Sequence, residues 1–117
     1  MSKFILALSL FISTPAFAWS DGDTKREAVY LTLHTMDWLQ TREIARNPAR
    51  WYETNSILGE QPSIGRVNNY FALTGLAHIL VSKALNPKYR KVFQYVTIGI
   101  EGGVVVHNYS IGIEVRF

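Results

Sequence analysis

No cysteine occurs in this chain, which excludes disulfide staples, thiolate catalysis and cysteine-ligated metal centres. Long apolar runs are missing too. The two richest stretches, Tyr70 to Leu85 and Val92 to Val106, each hold an uninterrupted core shorter than the roughly 20 residues that cross a bilayer comfortably. Nor is there a large excess of one charge: the net charge is +3, with acids among the basic residues along most of the chain. That balance, without an aromatic and basic module, argues against nucleic acid as a partner. No internal repeat, HExxH or Glu-x-x-His pair, or serine-nucleophile motif is found, so no familiar catalytic signature is present.

The chain opens with "MSKFILALSLFISTPAFAWS", in which Lys3 precedes an apolar stretch from Phe4 to Ile12 and Ala16-Phe17-Ala18 forms a small-x-small cleavage pattern. This predicts a signal peptide over residues 1–18 and a mature domain over residues 19–117, outside the cytoplasm. The remaining 99 residues suffice for one core and are too few for two.

Three helices are expected in that domain. Thr24-Lys25-Arg26-Glu27 has the Thr-x-x-Glu form of a capping box, and the segment it opens runs to the Asn47-Pro48 break, where the residue before proline leaves helical geometry. Two prolines, two asparagines and a glycine make "NPARWYETNSILGEQPS" a connector, packed rather than free because Trp51, Tyr52, Ile57 and Leu58 are apolar. Ser63 caps a second helix ending at Asn86-Pro87. A third starts near Lys88 and continues to about Asn108, followed by a short extended tail in which Ser110 to Phe117 alternates as a strand would. The expected fold class is all-α, a small bundle of three helices.

Charge placement bears on the membrane. Lys83, Lys88, Arg90 and Lys91 cluster without an acid between the second and third helices, as expected of a cytoplasmic turn. The reading that follows is an inner-membrane protein in which these two helices span and the first packs outside them; three spans come second. The loop and C-terminus then face the periplasm. A soluble periplasmic helical binding module is the alternative. Gly99 and Gly103, four apart, are candidates for close helix approach in lipid.

Each helix also carries a polar stripe. Tyr30, His34, Asp37 and Thr41 share one face of the first; Asn68, Phe71, Gly75, His78 and Ser82 share one of the second; Gln94, Thr97, Glu101 and Asn108 follow one seam on the third. Glu101, within an apolar run, is costly to bury without donors. It is expected to face the interior, with His34 and His78 as candidate donors. Gln40, Gln94, Glu101 and Asn108 then form a polar seam that fixes helix register. A sharper reading takes His34, Asp37, His78 and Glu101 as ligands for a divalent metal or as a proton relay. In the loop, Trp51, Tyr52, Glu53 and Asn55 are candidates for contact with another envelope protein or an envelope polymer, unless Glu53 and Asn55 serve only the local backbone.

Asp37-x-x-Gln40-Thr41, Glu53-Thr54-Asn55-Ser56-Ile57-Leu58-Gly59, Pro62-Ser63 and Asn108-Tyr109-Ser110 resemble a group of small membrane proteins of proteobacteria and their phages, over most of the mature chain. Ser56 stands where that group usually has proline. The resemblance implies a membrane protein and carries no activity or resident cofactor. The expected function is a structural or interaction role at the cell envelope, phage or prophage origin being compatible with the resemblance. The alternative is a metal-binding or proton-relay membrane enzyme built on the inner cluster.

Overall fold

A computed structural model describes residues 18–115 of the chain. The expected leader lies outside the described residues except for Ala18, as does the end of the C-terminal tail. Three helices make up the fold: α1 (Asp21–Arg46), α2 (Ile64–Ala84) and α3 (Pro87–Ser110). There is no strand among the described residues.

The helix ends follow local chemistry. α1 begins earlier than Thr24, because Ser20 is the cap: its Oγ accepts from the Asp23 amide at 3.1 Å and Asp23 Oδ2 accepts from the Ser20 amide at 2.9 Å. This reciprocal pair satisfies two orphan donors, and it frees Glu27 for the interior. Asn47 ends α1, its side chain donating to the Glu43 carbonyl. Ser63 caps α2 through the Arg66 amide. Asn86 caps α3 through the Tyr89 amide, with Pro87 at the first helical position, where its missing N–H costs nothing.

α1 lies between the other two, which touch each other far less. It runs parallel to α3: Asp23 meets Arg90, Glu27 meets Gln94 and Gln40 meets Asn108, at sequence separations of 67, 67 and 68. That constant offset fits a heptad seam. Asp23, Glu27, Tyr30, His34, Asp37, Thr41 and Ile44 alternate by four and three along α1, and all are buried. Gln94, Glu101 and Asn108 follow at intervals of seven along α3. A period of 3.5 keeps one face turned to a parallel neighbour. α2 runs antiparallel to α1, with Ser82 against Glu27, Thr74 against His34 and Asn68 against Trp38. α2 and α3 meet near their connecting turn, where Thr97 reaches His78 and Arg90 reaches Ser82. Toward the other end the segment 47–63 packs over the bundle, burying Leu58 against Val67 and Phe71, a contribution of roughly 1.5–3 kcal/mol for each such side chain.

Much of the interior is polar, and the outer faces of α2 and α3 carry apolar side chains. Asp23, Glu27, His34, Asp37, His78 and Arg90 are buried, while Leu73, Leu76, Val92, Val96, Ile100 and Val106 are more than half exposed. Even so, no helix among the described residues is long and apolar enough to cross a membrane. The inward polar faces and the terminal charges dilute each helix's hydropathy. The structure also differs from the expected arrangement at three other points. The first helix is central, so it does not stand outside the other two. Arg90 is fully buried and leaves the exposed basic cluster. A Cβ added at Gly99 or Gly103 would meet no other part of the fold within 4 Å; close approach occurs at Gly75, where a Cβ would lie 3.4 Å from His34 Cδ2.

Candidate functional site

Two polar clusters fill the interior, joined by Tyr30. The first lies at the end where α2 turns into α3. Arg90 donates to Asp23 Oδ2 at 2.8 Å, to the Ser82 carbonyl at 2.7 Å and to the Ala18 carbonyl at 3.0 Å. Burial by itself would raise the Asp23 carboxyl, but hydrogen bonds from Ser20 and Arg90 outweigh it and hold the group below its ordinary value. Glu27 behaves alike: burial raises it, and donors on His78, Gln94 and Ser82 more than offset that, so its pKa is lowered. Its Oε2 lies 2.7 Å from His78 Nδ1, and Oε1 accepts from Gln94 and Ser82 at 3.1 Å each. An ionised carboxylate only accepts, so Nδ1 carries the proton.

Tyr30 stacks its ring on His78 with centroids 3.4 Å apart, and its hydroxyl lies 3.3 Å from His34 Nδ1. Burial first, then the charges of Glu101 and Glu27, push its phenol well above the usual range.

The second cluster borders a cavity of about 280 Å³ whose lining includes Asp37, Thr41, Glu53, Asn55, Tyr70 and Glu101. His34 Nε2 lies 3.0 Å from the Phe71 carbonyl and therefore donates to it. Its Nδ1 faces the Tyr30 hydroxyl, and Glu101 Oε2 stands 3.5 Å from the same nitrogen. That oxygen is buried without a hydrogen-bond partner. Asp37 faces Glu101 from the neighbouring helix. Burial, then the Glu101 carboxylate, pushes Asp37 up to about 8, against a smaller opposing effect from the Thr41 hydroxyl. Asp37 thus keeps its proton near neutral pH, poised between Thr41, at 3.2 Å, and Glu101.

The residues singled out in the sequence divide between these clusters. His34, Asp37 and Glu101 come together, whereas His78 is engaged by Glu27 at the other cluster. Among the described residues no group of three or more His, Asp or Glu side chains stands where it could hold a metal ion. Of the expected seam, Gln40 and Asn108 pair: Asn108 donates to Gln40 at 3.0 Å, and Gln40 donates to the Val105 carbonyl; Gln94 instead donates to Glu27 and the Asp23 carbonyl in the first cluster. In the loop, Glu53 accepts from the Thr54 and Asn55 amides, and Asn55 accepts from the Ile57 amide while donating to the Tyr70 hydroxyl. Both thus order the turn, and Glu53 also lines the cavity. Tyr52 is exposed, and Arg50 stacks over Trp51. Sequence reasoning missed Asp23, Glu27 and Arg90 as interior groups. The signal was available in α1, because Asp23 and Glu27 continue the face of Tyr30 and His34 at the same four-three spacing.

Comparison with known protein families, with characterised proteins and with solved structures finds no match.

Proposed function

We propose that the chain is a small cell-envelope protein, seated in the face of the inner membrane by the apolar outer sides of α2 and α3, with a structural or interaction role. The observation that carries this reading is the inversion of the bundle. Leu73 and Leu76 on α2, and Val92, Val96 and Ile100 on α3, face outward, while most of the side chains buried along α1 are polar or charged. Apolar side chains exposed along two helices are characteristic of a membrane or protein contact, and burying them in lipid is favourable by about 25 cal/mol per Å². The loop that carries Trp51 and Tyr52 then stands away from the α2–α3 turn and offers the contact surface to an envelope partner.

Fractionation of cells carrying the protein with a C-terminal reporter tests this. The expected outcome is a membrane pellet that resists carbonate washing, with an external reporter; mature protein in the osmotic-shock supernatant would sink the reading. A deeper seating, in which α2 and α3 cross the bilayer, predicts that residues at the α2–α3 turn are shielded from an external modifying reagent that reaches the loop.

A second reading has its own observation, Asp37 and Glu101 lining one cavity from facing helices, with His34 Nδ1 3.5 Å from Glu101. Neighbouring carboxyls whose environments push their proton affinities apart are the arrangement of acid–base chemistry. Loss of a host phenotype in a folded Glu101→Gln variant would favour it, and survival would leave the pair as interhelical packing.

A further inference from the structure

The clearest asymmetry of the exterior is in its cations. All four lysines of the described chain, Lys25, Lys83, Lys88 and Lys91, are exposed and gather at one end, because α1 and α3 begin there and α2 ends there. None is in an ion pair with a described residue. The cations of the other end are arginines, Arg42, Arg46, Arg50 and Arg66, set among Glu43, Glu53, Glu60 and Glu114. Asp21 is the one exposed acid at the lysine end, so that end is positive and the other balanced.

At the lysine end a groove of about 320 Å³ runs between α1 and α2, bordered by Trp19, Ala28, Leu31 and Ile79, with Lys83 among its lining residues. Glu27 also borders it, but both its oxygens are taken by His78, Ser82 and Gln94. The indole N–H of Trp19, another lining residue, is buried without an acceptor. Apolar walls beneath unpaired cations are complementary to an acyl chain beneath an anionic headgroup. Basic residues at a membrane surface recognise such lipids, each worth about 1 kcal/mol.

We propose that this groove holds an acyl chain of an anionic phospholipid, with Lys83 on the headgroup phosphate and Lys25, Lys88 and Lys91 supplying the surrounding field. The proposal rests on the membrane reading above and adds the lipid class and the end of the bundle that meets it.

Vesicle binding tests it, with phosphatidylcholine vesicles against the same vesicles containing phosphatidylglycerol. The mature chain from Trp19 and the full chain are both used. Wild type is expected to bind the phosphatidylglycerol vesicles more tightly, and Lys83→Gln should weaken that binding about fivefold, the equivalent of about 1 kcal/mol. Ala28→Trp fills the groove without changing charge, and Ile79→Trp does so from the opposite wall. Either one, shown helical by circular dichroism, should lower the preference for phosphatidylglycerol. A preference that survives in a folded groove-filled variant overturns the groove, as does equal binding of wild type to both vesicles. A preference lost whenever residues 1–17 are retained assigns the groove to that segment and overturns the proposal too. Failure to bind either vesicle overturns the membrane reading itself.

Discussion

Arg90 and Asp23, 67 residues apart, form a buried ion pair of 2.8 Å that ties the start of α3 to the start of α1. The guanidinium is fully buried, and it also holds the Ser82, Leu85 and Ala18 carbonyls. It thereby fastens the chain before α1 and the end of α2 to a single side chain. Its planar set of donors suits that task better than an ammonium would.

Removing one partner of such a pair leaves a buried charge uncompensated. Arg90→Met is expected to cost about 3–5 kcal/mol, and Arg90→Lys to recover only part of that. Lys88→Met, two residues away and exposed, should change stability by less than about 0.5 kcal/mol. Chemical denaturation followed by circular dichroism measures all three. An Arg90→Met protein as stable as wild type would show that the pair does not hold the helix starts together.

The carboxyls of the two clusters give stability opposite dependences on pH. Asp37 titrates near 3.8 when exposed and near 8 in the fold, so the folded state binds more protons across that window and stability falls as pH rises through it. Asp37→Asn should flatten that slope and stabilise the protein above about pH 8 by on the order of 1–3 kcal/mol, with little gain below about pH 4. Glu101→Gln removes the neighbouring charge, so the Asp37 carboxyl, followed by NMR, should titrate lower than in wild type. Asp23 and Glu27 are depressed; their stabilisation is present at neutral pH and is lost as pH falls through their folded values. A difference in melting between Asp37→Asn and wild type that does not grow from acid to pH 8 would contradict the buried carboxyl pair.

Glycine substitutions distinguish real from apparent close approach. Gly99 has open space around it, so Gly99→Ala should stabilise α3 by about 0.5–1 kcal/mol through helix propensity alone. At Gly75 a Cβ already touches the His34 ring at 3.4 Å. Gly75→Leu should therefore push His34 off the Phe71 carbonyl and cost about 1–3 kcal/mol. Thermal melts decide it, and a destabilising Gly99→Ala would return that glycine to a helix contact.

Much of this protein was written locally. The breaks at Asn47-Pro48 and Asn86-Pro87, the Ser63 cap and the inward faces of all three helices follow from residue spacing, because capping and helical periodicity need only neighbours in sequence. The inward turn of Glu101 was legible for the same reason, as was the burial of Gln40, Gln94 and Asn108. Tertiary structure decided the partners. A face can be read from one helix, but which residue stands opposite depends on direction and register between helices. Here α1 and α3 run parallel with an offset of 67–68 residues, which sets Glu101 beside His34, while the antiparallel packing of α2 on α1 gives His78 to Glu27. The same packing turned Arg90 from a surface cation into the buried clasp of the helix starts. Its spacing, four residues before Gln94 on the face of Thr97 and Glu101, separates it from Lys88 and Lys91, but what makes its burial as a charge tolerable is Asp23, which only the folded chain brings within reach.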